Sequence, residues 1–336
     1  MKNLKLLLVS LAILFSHNLT MGQGPKDGKN ERNPVKSALN AFKFRSIGPA
    51  FMSGRIADIA IDPENENVWY VAVGSGGVWK TENSGTTWTP LADNMPFYST
   101  GCITIDPHNN ASIWLGTGEN VGGRHVGIGH GVYHSKDGGK SWKDMGLKKS
   151  EHISKIIVHP DDPNTVWVAS QGPLWSSGGE RGLFKTTDGG KTWKNTLDIN
   201  EWTGVTDLVI DPNNPNTLYA ASWQKHRNVA ALIGGGPGTS LYKSVDGGDN
   251  WSKIDKGLPK SNKGKIGLAI SPMQPNVLYA AVELDKRAGA VYRSDNSGGS
   301  WKKMSDTVSG GTGPHYYQEL VASPHVFDKI YLMNVR

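Results

Sequence analysis

The sequence predicts an all-β fold, a β-propeller of four-stranded blades, and three observations predict it. The motif Ser/Thr-x-Asp/Asn-x-Gly-x-x-Trp, an Asp box, occurs five times, starting at Thr81, Ser135, Thr186, Ser244 and Ser294. An apolar run ending in a Pro turn recurs in step with it, at Asp62-Pro63, Asp106-Pro107, His159-Pro160, Asp211-Pro212, Ser271-Pro272 and Ser323-Pro324. The 42 glycines and 12 tryptophans suit short strands joined by tight turns. Two interlocked repeats at one period of about fifty residues define a structural unit.

Each unit reads as four strands: the run before the Pro, the run after it (Val68 to Ala72, Thr217 to Ala221), a short run entering the Asp box (Val132-Tyr133-His134), and the run leaving its Trp. Helices are excluded because the runs are short, rich in Val, Ile, Tyr and Trp, and bounded by Gly, Pro, Asn and Asp. Blades are expected at about 55–93, 100–147, 152–199, 204–257 and 264–306, with part of a sixth at 316–336, inside a propeller spanning 42–336. An open ring would expose strand edges, which natural sheets avoid. The expectation is therefore a piece of a longer protein whose ring has more than six blades, with Phe42 to Ile47 pairing against the last blade.

The Asp box is legible as a folding device. Asp-Gly favours a tight hairpin, the next Gly tolerates positive φ, and a short Asp or Asn side chain can accept from amides of its own turn. Asn83, Asp137, Asp188, Asp246 and Asn296 take that role, and Trp88, Trp142, Trp193, Trp251 and Trp301 are expected to staple each hairpin into its blade. The alternating oxygen ligands of a calcium loop are missing. No metal and no cofactor is expected.

Residues 1–22 have the layout of a secretory signal, with Lys2 and Lys5, an apolar run from Leu6 to Phe15, and small residues near Gly22. An apolar run of roughly ten residues is half of what a membrane span needs, and no later segment is apolar enough. The expectation is an exported chain, secreted or at the cell surface, with a linker at 23–41. Its single cysteine, Cys102, excludes an intrachain disulfide. The formal charge of +6 is spread thinly instead of forming a basic stripe, which argues against a nucleic-acid partner.

In a propeller the connections between strands one and two and between three and four share a face, so the Asp boxes mark a structural face. The connections between strands two and three open on the other face and vary in length, which is where binding residues gather. They carry Glu119, Arg124 and His125, then Gln171, Trp175, Glu180 and Arg181, then Trp223, His226 and Arg227. Carboxylate, guanidinium and aromatic groups suit a polar ligand such as a sugar chain. Equally, these groups can pair with each other and seal the ring. His125, His130 and His134 follow no metal-ligand spacing, and His315-Tyr316-Tyr317 opens the sixth unit on the same face.

The Asp boxes, with Gly116-Thr117-Gly118-Glu119-Asn120, Gln171-Gly172-Pro173-Leu174-Trp175, Gly179-Glu180-Arg181-Gly182 and Ala221-Ser222-Trp223-Gln224, resemble the secreted bacterial Asp-box proteins with a sortilin-type amino-terminal propeller, grouped with xyloglucanases. The resemblance implies a polysaccharide or extracellular protein as partner. For an enzyme of this group it implies two aspartates facing each other across a cleft between two propellers, one general acid and one base. Gly74, in Val73-Gly74-Ser75-Gly76-Gly77, stands where the first aspartate would be, and the second would come from another propeller. Sialidases also use Asp boxes, and Arg55 in Ser53-Gly54-Arg55-Ile56 echoes their arginine motif. Three readings follow: a secreted binding or scaffold propeller, with Arg55 among its ligand-binding candidates; a xyloglucanase-like glycoside hydrolase with Glu119 and Glu180 as displaced acid and base; and a sortilin-like peptide-binding domain.

Overall fold

A Pro turn followed by an Asp-box hairpin leaves the chain one way to pair, as an antiparallel meander. The computed structural model describes residues 54–284, 288–307 and 318–333, and the expected strand Phe42 to Ile47 and the segment His315 to Tyr317 lie outside them. The described residues fall within one unit, Ser53–Arg336.

Blade 1 is β1 (Ile56–Ile61), β2 (Trp69–Val73), β3 (Gly77–Thr81) and β4 (Thr89–Pro90). Blade 2 is β5 (Thr100–Asp106), β6 (Asn109–Thr117), β7 (Val132–Ser135) and β8 (Lys143–Asp144). Blade 3 is β9 (Ile153–His159), β10 (Asp162–Ser170), β11 (Gly182–Thr186) and β12 (Lys194–Leu197). Blade 4 is β13 (Thr203–Asp211), β14 (Asn214–Gln224), β17 (Leu241–Ser244) and β18 (Ser252–Lys253), with a small hairpin, β15 (His226–Arg227) and β16 (Leu232–Ile233), projecting from its long connection. Blade 5 is β19 (Ile266–Ile270), β20 (Leu278–Glu283), β21 (Gly289–Ser294) and β22 (Lys302–Asp306), and the pair β23 (Glu319–Ala322) and β24 (Ile330–Met333) follows. Each four-stranded sheet is paired in chain order.

The cores lie between blades. Tyr70, Ala72 and Val78 of blade 1 pack on Ile103, Ile113 and Leu115 of blade 2, and the same arrangement recurs at each following junction. Ile59, on the first face of blade 1, is 51% exposed, while its blade-2 counterpart Ile103, which has a blade in front of it, is 3% exposed. Among the described residues nothing covers the first face of blade 1.

The Asp boxes cap their own turns. Asp188 Oδ1 accepts from the amides of Lys191 and Thr192 at 2.9 Å, and Thr186 Oγ1 accepts from Gly190 N at 3.0 Å. The same bonds recur at Asn83, Asp137, Asp246 and Asn296. These bonds to the ionised form hold Asp137 down at about 2. The tryptophans act differently from the expectation of stapling each hairpin into its own blade. Trp142 Nε1 donates to Leu91 O of the preceding unit at 3.2 Å, Trp193 to Met145 O at 2.7 Å, and Trp301 to Ile254 O at 2.8 Å. The indole is long enough to cross the junction, so the box locks neighbouring blades together. Trp251 reaches Thr196 Oγ1 of blade 3 at 3.4 Å, and Trp88, in the first described blade, bonds only Gly85 O within its own turn.

The innermost strands β1, β5, β9, β13, β19 and β23 pack in sequence around the axis. Four of them carry a one-residue register shift, leaving Ala57, Gly101, Ser154 and Thr206 as the extra residues. Bulges re-aim the side chain that follows. The residues five before each turn proline are Asp58, Cys102, Lys155, Asp207, Gly267 and Glu319. Asp58 Oδ2 accepts from Ile103 N at 3.0 Å and Asp207 Oδ2 from Leu268 N at 2.7 Å, so each carboxylate also bonds the next blade. Cys102 is buried and free, and burial raises its thiol far above the reactive range.

Candidate functional site

Tracing the meander puts two kinds of connection on the face opposite the Asp boxes: strand two to strand three, and strand four to the next blade. One of the first kind, residues 118–131 of blade 2, crosses the end of the channel and is held from four blades. Arg55 of blade 1 forms a two-point ion pair with Glu119, with Nη2 to Oε2 at 2.7 Å, and the Glu119 side chain is 0% exposed. His152, beside β9, bonds Glu119 O at 2.9 Å. Asn120 O accepts from Gln171 Nε2 at 3.1 Å and Lys265 Nζ at 2.8 Å, and Gly122 O accepts from Arg227 Nε at 3.0 Å.

Beneath this strap lies a buried basic cluster. Lys225 Nζ donates to Gln171 Oε1 at 2.6 Å, and both Lys225 and Lys265 lie over the Trp223 ring, at 4.9 and 5.7 Å from its centroid. Burial, reinforced by Arg181 and Lys265, drives Lys225 well below the usual ammonium value, and burial brings Lys265 to about 8. His152 is likewise held neutral by burial, with Lys225 as the next cause.

The blade-3 connection is wound around one side chain. Arg181 donates Nε to Gly178 O and Nη1 to Gln171 O, both at 2.8 Å, and Nη2 to Ser176 O at 2.6 Å and to Pro173 O. A Cβ on Gly172, whose φ is +72°, would sit 2.0 Å from Arg181 Cγ, so the backbone can wrap the arginine only with glycine there. Burial lowers Arg181 to about 10.

The residues expected to bind ligand thus divide into two groups. Glu119, Gln171, Arg181, Trp223 and Arg227 are buried, with their polar groups bonded inside the protein. Trp175, Arg124 and His125 are exposed, and His226 is half-buried. Glu180 is half-buried, and its Oε2 accepts from Lys149 N at 2.7 Å. His134 stacks on Trp114 at 4.1 Å and bonds Ser112 Oγ at 2.8 Å, away from His125 and His130. Burial lowers it to about 4.

A further aromatic was missed from sequence. Trp202 lies on the connection from blade 3 to blade 4, and its ring is 4.2 Å from that of His226. Arg227 N to Leu174 O at 3.1 Å and Gly178 N to Glu201 O at 2.8 Å join this pair to the loop that carries Trp175. The result is an exposed Trp175 on a loop tied by backbone bonds to the half-buried Trp202–His226 pair, at the edge of the channel.

Residues 130–262 match the family model described as Sortilin, neurotensin receptor 3. A xyloglucanase from Hypocrea jecorina is 23% identical over 307 residues, covering 82% of this chain and 35% of its own length. The crystal structure of an ancestral GH74 enzyme superposes with a TM-score of 0.60 at 25% identity, covering 81% of this chain and 33% of the other. Residues 130–262 are thus similar to a sortilin-type domain, and the chain as a whole is similar to xyloglucanase-like proteins.

A probable oligoxyloglucan-reducing end-specific xyloglucanase from Neosartorya fischeri is 24% identical over 66% of the chain and 26% of its own length. The chain therefore spans about a quarter to a third of the length of these two curated relatives. Among its described residues no helix is long and apolar enough to cross a membrane.

Proposed function

We propose that the chain is an exported binding or scaffold propeller that holds a polysaccharide on the face opposite the Asp boxes, without cleaving it. One observation supports this reading above the others: Glu119 is fully buried in its pair with Arg55, while Trp175 is exposed and the Trp202–His226 pair is half-buried on the same face. A glycoside hydrolase needs two carboxyl groups free to exchange protons at the scissile bond. Glu119 is tied to a guanidinium, Glu180 caps an amide, and Gly74 has no proton to give. Flat aromatic faces flanked by hydrogen-bonding groups suit the apolar faces of sugar rings. The leader at 1–22 fits delivery to an extracellular polymer, and xyloglucan is the first candidate because the relatives named xyloglucanases act on it.

Retention of the protein on immobilised xyloglucan, with no rise in reducing ends after prolonged incubation, is the expected outcome. Trp175→Ala and Trp202→Ala should each weaken retention about tenfold, the usual cost of truncating an aromatic anchor. New reducing ends that vanish in Glu180→Gln would replace the binding reading with the hydrolase.

A further inference from the structure

A second opening on the same face has a different chemistry. Where the connection from blade 4 to blade 5 runs beside the long blade-4 loop, a cavity of about 520 Å³ is lined by Gly236, Pro237, Lys253, Lys256, Lys260 and Lys263, with Asp255 as its acidic member. Gly236 N donates to Lys263 O at 3.2 Å, closing one wall against the loop that also carries His226. Lys256 and Lys260 are exposed, and Lys253 pairs with Asp255 at 3.1 Å. Lys263 is only 6% exposed, and its Nζ donates to Pro259 O at 3.2 Å.

A buried ammonium with a carbonyl for company is undercompensated. Burial first, and the neighbouring Lys253 next, lower Lys263 from the usual lysine value. Four lysines facing one aspartate leave the cavity with an excess of positive charge that a bound anion would neutralise. Backbone carbonyls and a neutral sugar would not. The opening is large enough for a sugar residue bearing a charged substituent.

We infer that this lysine-lined cavity binds the anionic group, carboxylate or sulfate, of an acidic polysaccharide. The inference rests on the polysaccharide-binding reading and narrows it from neutral to charged polymers. Lys256 and Lys260 meet the polymer at the rim, and Lys263 holds the anion at the bottom.

The test uses the full chain on immobilised polygalacturonate, dextran sulfate and neutral xyloglucan, at low and high salt. Retention on an acidic polymer should fall about tenfold in a Lys256→Glu/Lys260→Glu double variant, since bonds to charged groups are the strong ones. A Lys140→Glu/Lys191→Glu variant makes the same charge change on exposed residues of the Asp-box face and should keep its retention. Preference between polygalacturonate and dextran sulfate assigns the anion as carboxylate or sulfate. Equal losses in the two double variants would mean diffuse attraction to a basic protein and would overturn the site. Retention on xyloglucan alone would overturn it too and leave the binding reading standing. Retention on none of the three would remove both.

Discussion

Replacing Arg181 with Ala is expected to lower stability by about 3–5 kcal/mol and the melting temperature by on the order of 10 °C. The guanidinium gathers the carbonyls of Gln171, Pro173, Ser176 and Gly178 into one arc. Its removal leaves those acceptors without a donor and opens a void against Gly172, whose backbone passes within van der Waals contact of the arginine stem. Each bond from a charged donor to a buried carbonyl contributes about 1.5–3 kcal/mol. The effects do not add fully, because the freed loop can turn some carbonyls toward water. Arg181→Lys keeps the charge, but a point donor cannot span the arc, so it should recover less than half of the loss. The loop also carries Trp175, so polysaccharide retention should fall together with protection of residues 174–180 from proteolysis. An Arg181→Ala protein with unchanged melting and unchanged proteolysis would show that the arginine is ornamental to the loop.

The blades were legible in the sequence because Asp box and Pro turn are local signals, each fixing its own few residues. That the box tryptophans bond the preceding unit was not, since Trp142 and Leu91 are brought together only by stacking two sheets. The phrases around Glu119, Gln171 and Arg181 were visible as unusual loops, yet sequence could not decide between ligand binding and mutual sealing. Burial decides it: Glu119 reaches Arg55 across 64 residues and Lys265 reaches Asn120 across 145. Trp202 carries no sequence signal because it lies on a link between blades. That such links open on the same face as the connections between strands two and three shows only once the sheets are stacked. Lys263 gave no sequence signal at all, because a lysine among lysines reads as a solvated run until its depth is known. The register shifts that aim Asp58, Lys155 and Asp207 at the axis were equally silent, although the common spacing of these residues from the turn prolines could have been read.

That axial set sets the second large effect. Lys155→Met should cost about 2–4 kcal/mol at pH 8, below the full penalty for stripping the partner from a buried charge because Lys155 itself is half-buried. Burial works against the Lys155 ammonium, yet Glu319, Asp58 and Asp207 together hold its pKa above the usual lysine value. Burial pushes Asp58 up to about 6 and raises Asp207, and in both Lys155 is the largest opposing influence. A lysine raised in the folded state contributes stability that is present below its unfolded pKa and lost only in alkali, so Lys155 itself does not titrate between pH 5 and 8 and any change there comes from its carboxylate partners. A carboxyl raised in the folded state behaves otherwise: the folded protein takes up a proton as pH falls through about 6, while the unfolded chain waits until near 4. Without Lys155 these carboxyls move higher still. Acidification then neutralises the repulsion and restores the variant. The difference in melting temperature between wild type and Lys155→Met should therefore be widest at pH 8 and mostly gone at pH 5, whereas Lys155→Arg, which keeps the charge, should show a small deficit that does not vary with pH. A deficit in Lys155→Met of the same size at both pH values would reduce Lys155 to a packing residue and take the charge balance of the channel out of the account of how the blades hold together.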